Sequence, residues 1–279
     1  MSVAALLPML SVAFTAASCS LISMNADRAP LVETFDDGGN SFSAKLLRHQ
    51  AISIAEASGV SGSNAIRVIY QGSPQGSERV IVGHSLPKGL LEATLTYDVK
   101  FCDAFQFVKT GKLHGLGPEN LAAGGLPFDD ARWSARVAFL SNGRIGTYLY
   151  HQDLPGQYGE ITTAAGFRFE PNRYYRVALY VRLNDPPEAE NGRAELFVNG
   201  TQVVSRENLR FRAVSGERTL IQKLLFNTFH GGHTPDFAPR NSDGSFSREC
   251  AYFDNIAVYP GFTVKKMPGD QLTARENRW

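Results

Sequence analysis

Apolar and polar residues alternate with a period of two through most of the chain after residue 65. Tyr174 to Leu183 is the clearest case, with Tyr175, Val177, Leu179 and Val181 falling on one face. Such alternation predicts a half-buried β-strand. Ala65 to Tyr70, Arg79 to Val82, Leu91 to Phe101, Leu220 to Phe229 and Ala251 to Tyr259 alternate or are rich in β-branched residues, and read the same way. Leu196 to Val204 predicts a hairpin turning at Asn199-Gly200, because a tight two-residue turn needs positive φ at both central residues. There is no long amphipathic helical pattern and no internal repeat. Many short strands without interleaved helices predict a β-sandwich, apolar inside and polar outside.

The segment Trp133 to Tyr150 carries more than fold information. It alternates on both sides of Ser141-Asn142-Gly143, predicting a hairpin. Trp133, Ala135, Val137 and Phe139 share one face with Ile145, Thr147 and Leu149, so Ser134, Arg136, Tyr148 and Tyr150 share the other, solvent-lined one. Directly opposed residues of an antiparallel pair lie on the same face, so Arg136 can face Tyr148 or Tyr150 but never Leu149. A three-residue loop with Gly143 left-handed pairs Arg136 with Tyr148 and Ser134 with Tyr150. One cation, two phenols and a hydroxyl on one patch suit an anionic, hydroxyl-rich ligand. The same residues are also ordinary on the outer face of a sheet. The nearby Lys109-Thr-Gly-Lys112 segment shifts the balance toward a site.

At 279 residues, with 43% hydrophobic and 20% charged residues, the chain has enough material for a single sandwich core. A net charge of +1 gives no general attraction to nucleic acid or membrane, so basic character must act locally. Residues 1–18 are uncharged and apolar and end in Ala16-Ala17-Ser18 before Cys19. This predicts a signal peptide, with a lipid anchor on Cys19 as one form of it, and hence an exported protein: secreted, periplasmic or lipid-anchored. Residues 19–33 read as a linker, 34–262 as the β-domain and 263–279 as a charged tail. With Cys19 removed or lipidated, Cys102 and Cys250 remain as an even pair. In an oxidising compartment they are expected within bridging distance as a disulfide, the alternative being two buried thiols.

The stretch Lys109-Thr-Gly-Lys-Leu-His-Gly-Leu116, Ser134-Ala-Arg136 and Tyr148-Leu-Tyr150 resembles the alginate lyases of polysaccharide lyase family 14 and, more distantly, the glucuronan lyases of family 20. Asn227 to Gly232 and Ala251 to Ile256 extend the resemblance over most of the chain after about residue 90. It implies a β-jelly roll of two antiparallel sheets with a concave polysaccharide-binding groove, a monomer without cofactor or metal. It also implies that Lys112, Ser134, Arg136, Tyr148 and Tyr150 occupy the family's active-site positions. Thr110 and His114 depart from the family pattern, which has Gly and Pro there. His114, two residues from Lys112, is therefore expected to touch substrate and alter its choice.

These residues can perform β-elimination on a uronate polymer. The C5 proton is α to a carboxylate, and its loss expels the C4 oxygen and leaves a 4,5-unsaturated end. The step needs cover for the carboxylate, a base and an acid. Arg136 offers a planar fork matched to a carboxylate. Lys112 shares that task or acts as the base. Tyr148 and Tyr150 serve as base and acid in an undetermined order, a cationic neighbour lowering a phenol's pKa. Ser134 positions the sugar, Asn227 is a further contact, and Arg176 extends an anionic groove across the sheet. Glycoside hydrolysis needs two placed carboxylates, and the hairpin's polar face has none. A carbohydrate-binding module or lectin of the same fold is the rival from another class. His230 and His233 lack a third ligand at metal spacing, and Asp254-Asn255 reads as a turn or strand-edge cap.

Overall fold

The computed structural model describes residues 29–125 and 129–267. The segment expected to be a signal peptide, Cys19 and the end of the tail lie outside these residues. In chain order the strands are β1 (Leu31–Glu33), β2 (Ile52–Ala55), β3 (Ala65–Ser73), β4 (Gly76–Ser77), β5 (Val80–Leu90), β6 (Glu92–Phe101), β7 (Thr110–Gly117) and β8 (Ser134–Leu140). There follow β9 (Arg144–Tyr150), β10 (Glu160–Arg168), β11 (Tyr174–Arg182), β12 (Gly192–Val198), β13 (Thr201–Leu209), β14 (Ile221–His230) and β15 (Arg248–Pro260). A short α-helix, α1 (Ser41–Leu46), starts at Asn40, whose side chain accepts from the amides of Phe42 and Ser43.

Two antiparallel sheets form the sandwich, which is a β-jelly roll. The nine-stranded sheet runs β13-β12-β11-β6-β15-β3-β2, with β1 added on β15 and β4 on β3. The six-stranded sheet runs β10-β9-β8-β7-β14-β5. Their facing sides bury one continuous core that includes Trp133, Val137, Phe139, Val177, Leu179, Phe226 and Phe253. Tyr175, Val177, Leu179 and Val181 all point into it, as the alternation of β11 requires. The β12–β13 hairpin turns at Asn199 (φ 50°) and Gly200 (φ 84°), the geometry that selects Asn-Gly.

The domain reaches past both expected edges. Leu31–Glu33, read as linker, pair with β15, Leu31 opposite Val258. Phe262, at the other boundary, packs edge-on against Tyr180 with centroids 5.1 Å apart, and the Thr263 amide bonds the Thr94 hydroxyl at 2.9 Å. Both additions cover sheet surface and pair backbone groups that would otherwise remain open. Cys102 and Cys250 form a disulfide with Cα atoms 5.4 Å apart, joining the end of β6 to β15.

Candidate active site

The outer face of the six-stranded sheet carries the site, and the β8–β9 hairpin is its centre. Ser134 pairs with Tyr150, Ala135 with Leu149 and Arg136 with Tyr148, the register that parity demands. The connecting loop holds two left-handed residues, Asn142 (φ 60°) and Gly143 (φ 71°). A Cβ on Gly143 would lie 2.5 Å from the Phe169 carbonyl oxygen, so both backbone and packing require glycine there.

Strand β7 brings Lys112 to the same face. Lys112 pairs with Ala138 on one side and Phe229 on the other, and its Nζ sits 3.5 Å from the centroid of the Tyr148 ring. The registers on both sides of β7 shift between Lys112 and Gly115, marking a bulge. The bulge corrects the expectation for His114. Without it, two residues from Lys112 would mean the same face; with it, His114 turns inward and is fully buried between the sheets. Its ring stacks on Phe226 at 4.0 Å and lies 4.5 Å from Tyr97, and Nδ1–H donates to the Asn227 carbonyl at 3.1 Å. Burial lowers its pKa to about 3, so it is a neutral core residue away from the substrate face.

The site is electrostatically unbalanced. Lys112 and Arg136 are 8% and 5% exposed, yet no carboxylate acts on either among the described residues. Desolvation, with Arg136 and Arg79 nearby, lowers the Lys112 pKa to about 7. Burial likewise pulls Arg136 below its ordinary range, against the opposing influence of Tyr148 and Tyr150. One Arg136 Nη2 reaches the Ala122 carbonyl at 3.3 Å and the Ser134 hydroxyl at 3.2 Å, while Nε has no partner. Tyr148 moves opposite to expectation. Its pKa is raised, because burial and the neighbouring Tyr150 outweigh the cation. The two phenol oxygens are 3.4 Å apart.

The hairpin's polar face is covered instead of open to solvent. From the β7–β8 loop, the Ala122 carbonyl accepts from Ser134 Oγ at 2.7 Å and the Gly125 amide donates to Tyr150 Oη at 3.1 Å. From the β9–β10 loop, the Gly159 amide donates to Tyr148 Oη at 3.2 Å. Gln157 Nε2 joins the two loops by donating to the Gly125 carbonyl at 2.9 Å. Period-two patterning reports which side of a strand is polar, and carries no information on what a distant loop lays over it.

Of the outlying candidates, Asn227 lies on the site face of β14, buried, with its Oδ1 unpartnered, beside Ile81 of β5. Arg176 does not belong to the site. It is on β11 of the other sheet, where it makes a two-pronged pair with Asp98 at 2.8 and 2.7 Å. His230 points into the core and bonds the Gln106 carbonyl at 2.8 Å, while Asp254 caps a turn through the Val60 amide and Ser63 hydroxyl. Arg79 was missed. It stacks over Phe229 at 4.8 Å and adds positive potential at Lys112. The alternation of Arg79 with Ile81 was visible, but the pairing of β5 with β14 that brings them here is non-local.

Comparison with known proteins agrees with the β-jelly roll. No curated protein matches the chain significantly. Among solved structures, alginate lyase Aly36B aligns at 25% identity with TM-score 0.60, covering 73% of this chain and 82% of its own. The family 14 alginate lyase of Aplysia kurodai aligns at 21% identity and TM-score 0.65, covering 84% and 99% respectively. The endo-β-1,4-glucuronan lyase of Trichoderma reesei shares the fold at 15% identity and TM-score 0.61, covering 86% and 98%. The model of the polysaccharide lyase 14 family matches residues 71–250, a span that includes the hairpin, Lys112 and Asn227, and the chain belongs to that family.

Proposed function

We propose that this lyase cleaves a uronate polymer, of the alginate or glucuronan type, by β-elimination to leave 4,5-unsaturated ends. The observation that carries the reading is the buried Lys112–Arg136 pair without a carboxylate partner, in contact with two phenols. A buried cation without a counter-charge is costly, and a substrate carboxylate supplies what the described residues do not. A neutral glycan would leave both cations uncompensated.

Arg136 covers the C5 carboxylate and stabilises the enolate-like intermediate through its fork of N–H donors. Lys112, with a pKa of about 7, populates its free amine near neutrality and is the base for the C5 proton. Tyr148, its pKa raised, keeps its proton and is the acid for the departing C4 oxygen. Tyr150, within 3.4 Å of the Tyr148 hydroxyl, holds that donor and the sugar in line, with Ser134 below it. Asn227 Oδ1 is available to a sugar hydroxyl. The Cys102–Cys250 bridge supports an exported protein working in an oxidising compartment.

Purified protein incubated with polymannuronate, polyguluronate and glucuronan should give ultraviolet-absorbing unsaturated ends on at least one. Saturated new ends would indicate hydrolysis, and tight binding without cleavage would indicate a carbohydrate-binding protein.

A further inference from the structure

The β9–β10 connection, residues 151–159, lies against the site. It leaves β9 after Tyr150, at the Ser134 end of the hairpin. His233 follows the opposite end of the sheet, where His230 of β14 pairs with Gly111. Tyr158 nevertheless meets His233, with ring centroids 5.7 Å apart. β9 and β14 are three places apart in the sheet order, roughly 14 Å at the usual strand spacing. The connection and the segment after β14 therefore meet across the face that carries Lys112 and Tyr148. Along the way the connection rests on the site itself. A Cβ on Gly159 would lie 2.9 Å from Tyr148 Cζ and 2.9 Å from Tyr150 Cε2, and one on Gly125 would lie 2.6 Å from Tyr158 Cε1. Tyr158 thus lies between Gly125 and His233, and the residue stays 49% exposed.

We propose that Tyr158 determines where along its polymer the enzyme cuts. By bridging the two sides of the site it turns an open surface into a covered passage, which admits a chain end more readily than an internal segment. Ser134, Arg136 and Tyr150, at 5% exposure or less, lie beneath the two loops that Tyr158 and Gln157 tie together. A long chain lying across the sheet would have to lift the strap, whereas a terminus can be threaded beneath it. This rests on the uronate-lyase reading above and adds the mode of cleavage to it.

The test follows bonds broken, by ultraviolet absorbance, against chain length, by viscosity and size-exclusion chromatography, on whichever uronate polymer the protein cleaves. Wild-type protein should release short unsaturated oligosaccharides early, while the remaining polymer keeps close to its starting length. Tyr158→Ala should make viscosity fall severalfold faster per bond broken and yield mid-length fragments. Tyr158→Phe, which keeps the ring, should retain the wild-type product pattern. The proposal is overturned if wild-type protein shortens the polymer from the first bonds as random scission does. It is equally overturned if Tyr158→Ala raises KM on polymer and on a trisaccharide alike with product sizes unchanged, since Tyr158 would then only stack on sugar. Failure of the wild type to form unsaturated ends on any uronate polymer would instead remove the lyase reading, and the cleavage mode with it.

Discussion

Arg136 is a buried arginine and Arg176 a partly buried one, both on β-strands, and the fold treats them in opposite ways. Arg176 lies against the fully buried Asp98, gripped at two nitrogens, and the pair raises its pKa. Arg136 has carbonyl, hydroxyl and phenol neighbours but no carboxylate among the described residues, and burial lowers its pKa. The first is closed within the structure; the second leaves its fork for something outside it. A cation that the fold has already neutralised holds sheet surface together. One left unneutralised in a covered site marks where an anion binds.

The largest effect that sharpens this contrast concerns the hydroxyls around Arg136. Tyr148→Phe should lower turnover by roughly 100- to 10,000-fold, the usual worth of acid–base participation, with the melting temperature nearly unchanged. Steady-state rates and a thermal melt on the same preparation check it. Retention of more than a tenth of the activity would take the acid role from Tyr148.

Arg136→Ala should cost about 100- to 1,000-fold in turnover and also weaken binding, because the carboxylate is held in the ground state and more strongly as charge develops. Its stability should fall little or rise, since an uncompensated buried cation is removed. Arg176→Ala should do the reverse. It strands Asp98 with only the Asn255 amide, among the described residues, donating to it, at 2.8 Å, and should lose about 3–5 kcal/mol in denaturant unfolding while turnover of the folded fraction is kept. If both variants lost stability alike, or both lost activity alike, the distinction would fail.

The smallest effect is in pH. Lys112 has an ordinary value of 10.5 and about 7 in the fold, so between these values the folded chain holds fewer protons than the unfolded one. The Lys112 contribution to stability should therefore rise with pH through this window and be poorest below about 7. The stabilising difference of Lys112→Met over wild type should accordingly be greatest below pH 7 and shrink as pH rises. With Lys112 as base, kcat/KM of the wild type should climb about tenfold per unit on the acid side of that value and level above it. A profile flat across neutrality would assign the base to another group.

The chain by itself determined the sandwich, the inward faces of β8, β9 and β11, and the pairing of Arg136 with Tyr148. All of these follow from a period of two and from short turns such as Asn199-Gly200, which act between residues close in sequence. The family motif also brought Lys112 to the same site. Tertiary structure decided the rest. The bulge after Lys112 inverted His114 into the core, because one extra residue reverses every later side chain. Sheet assignment sent Arg176 to Asp98 on the opposite sheet, and strand order brought Arg79 beside Lys112. Cover from Ala122, Gly125 and Gly159 turned a face expected to be wet into a buried one. Desolvation then exceeded the pull of the cation on Tyr148 and reversed the sign of its shift. Local periodicity reports direction along a strand. Depth, neighbours and dielectric depend on segments far away in the chain, and they set the charge states on which the chemistry rests.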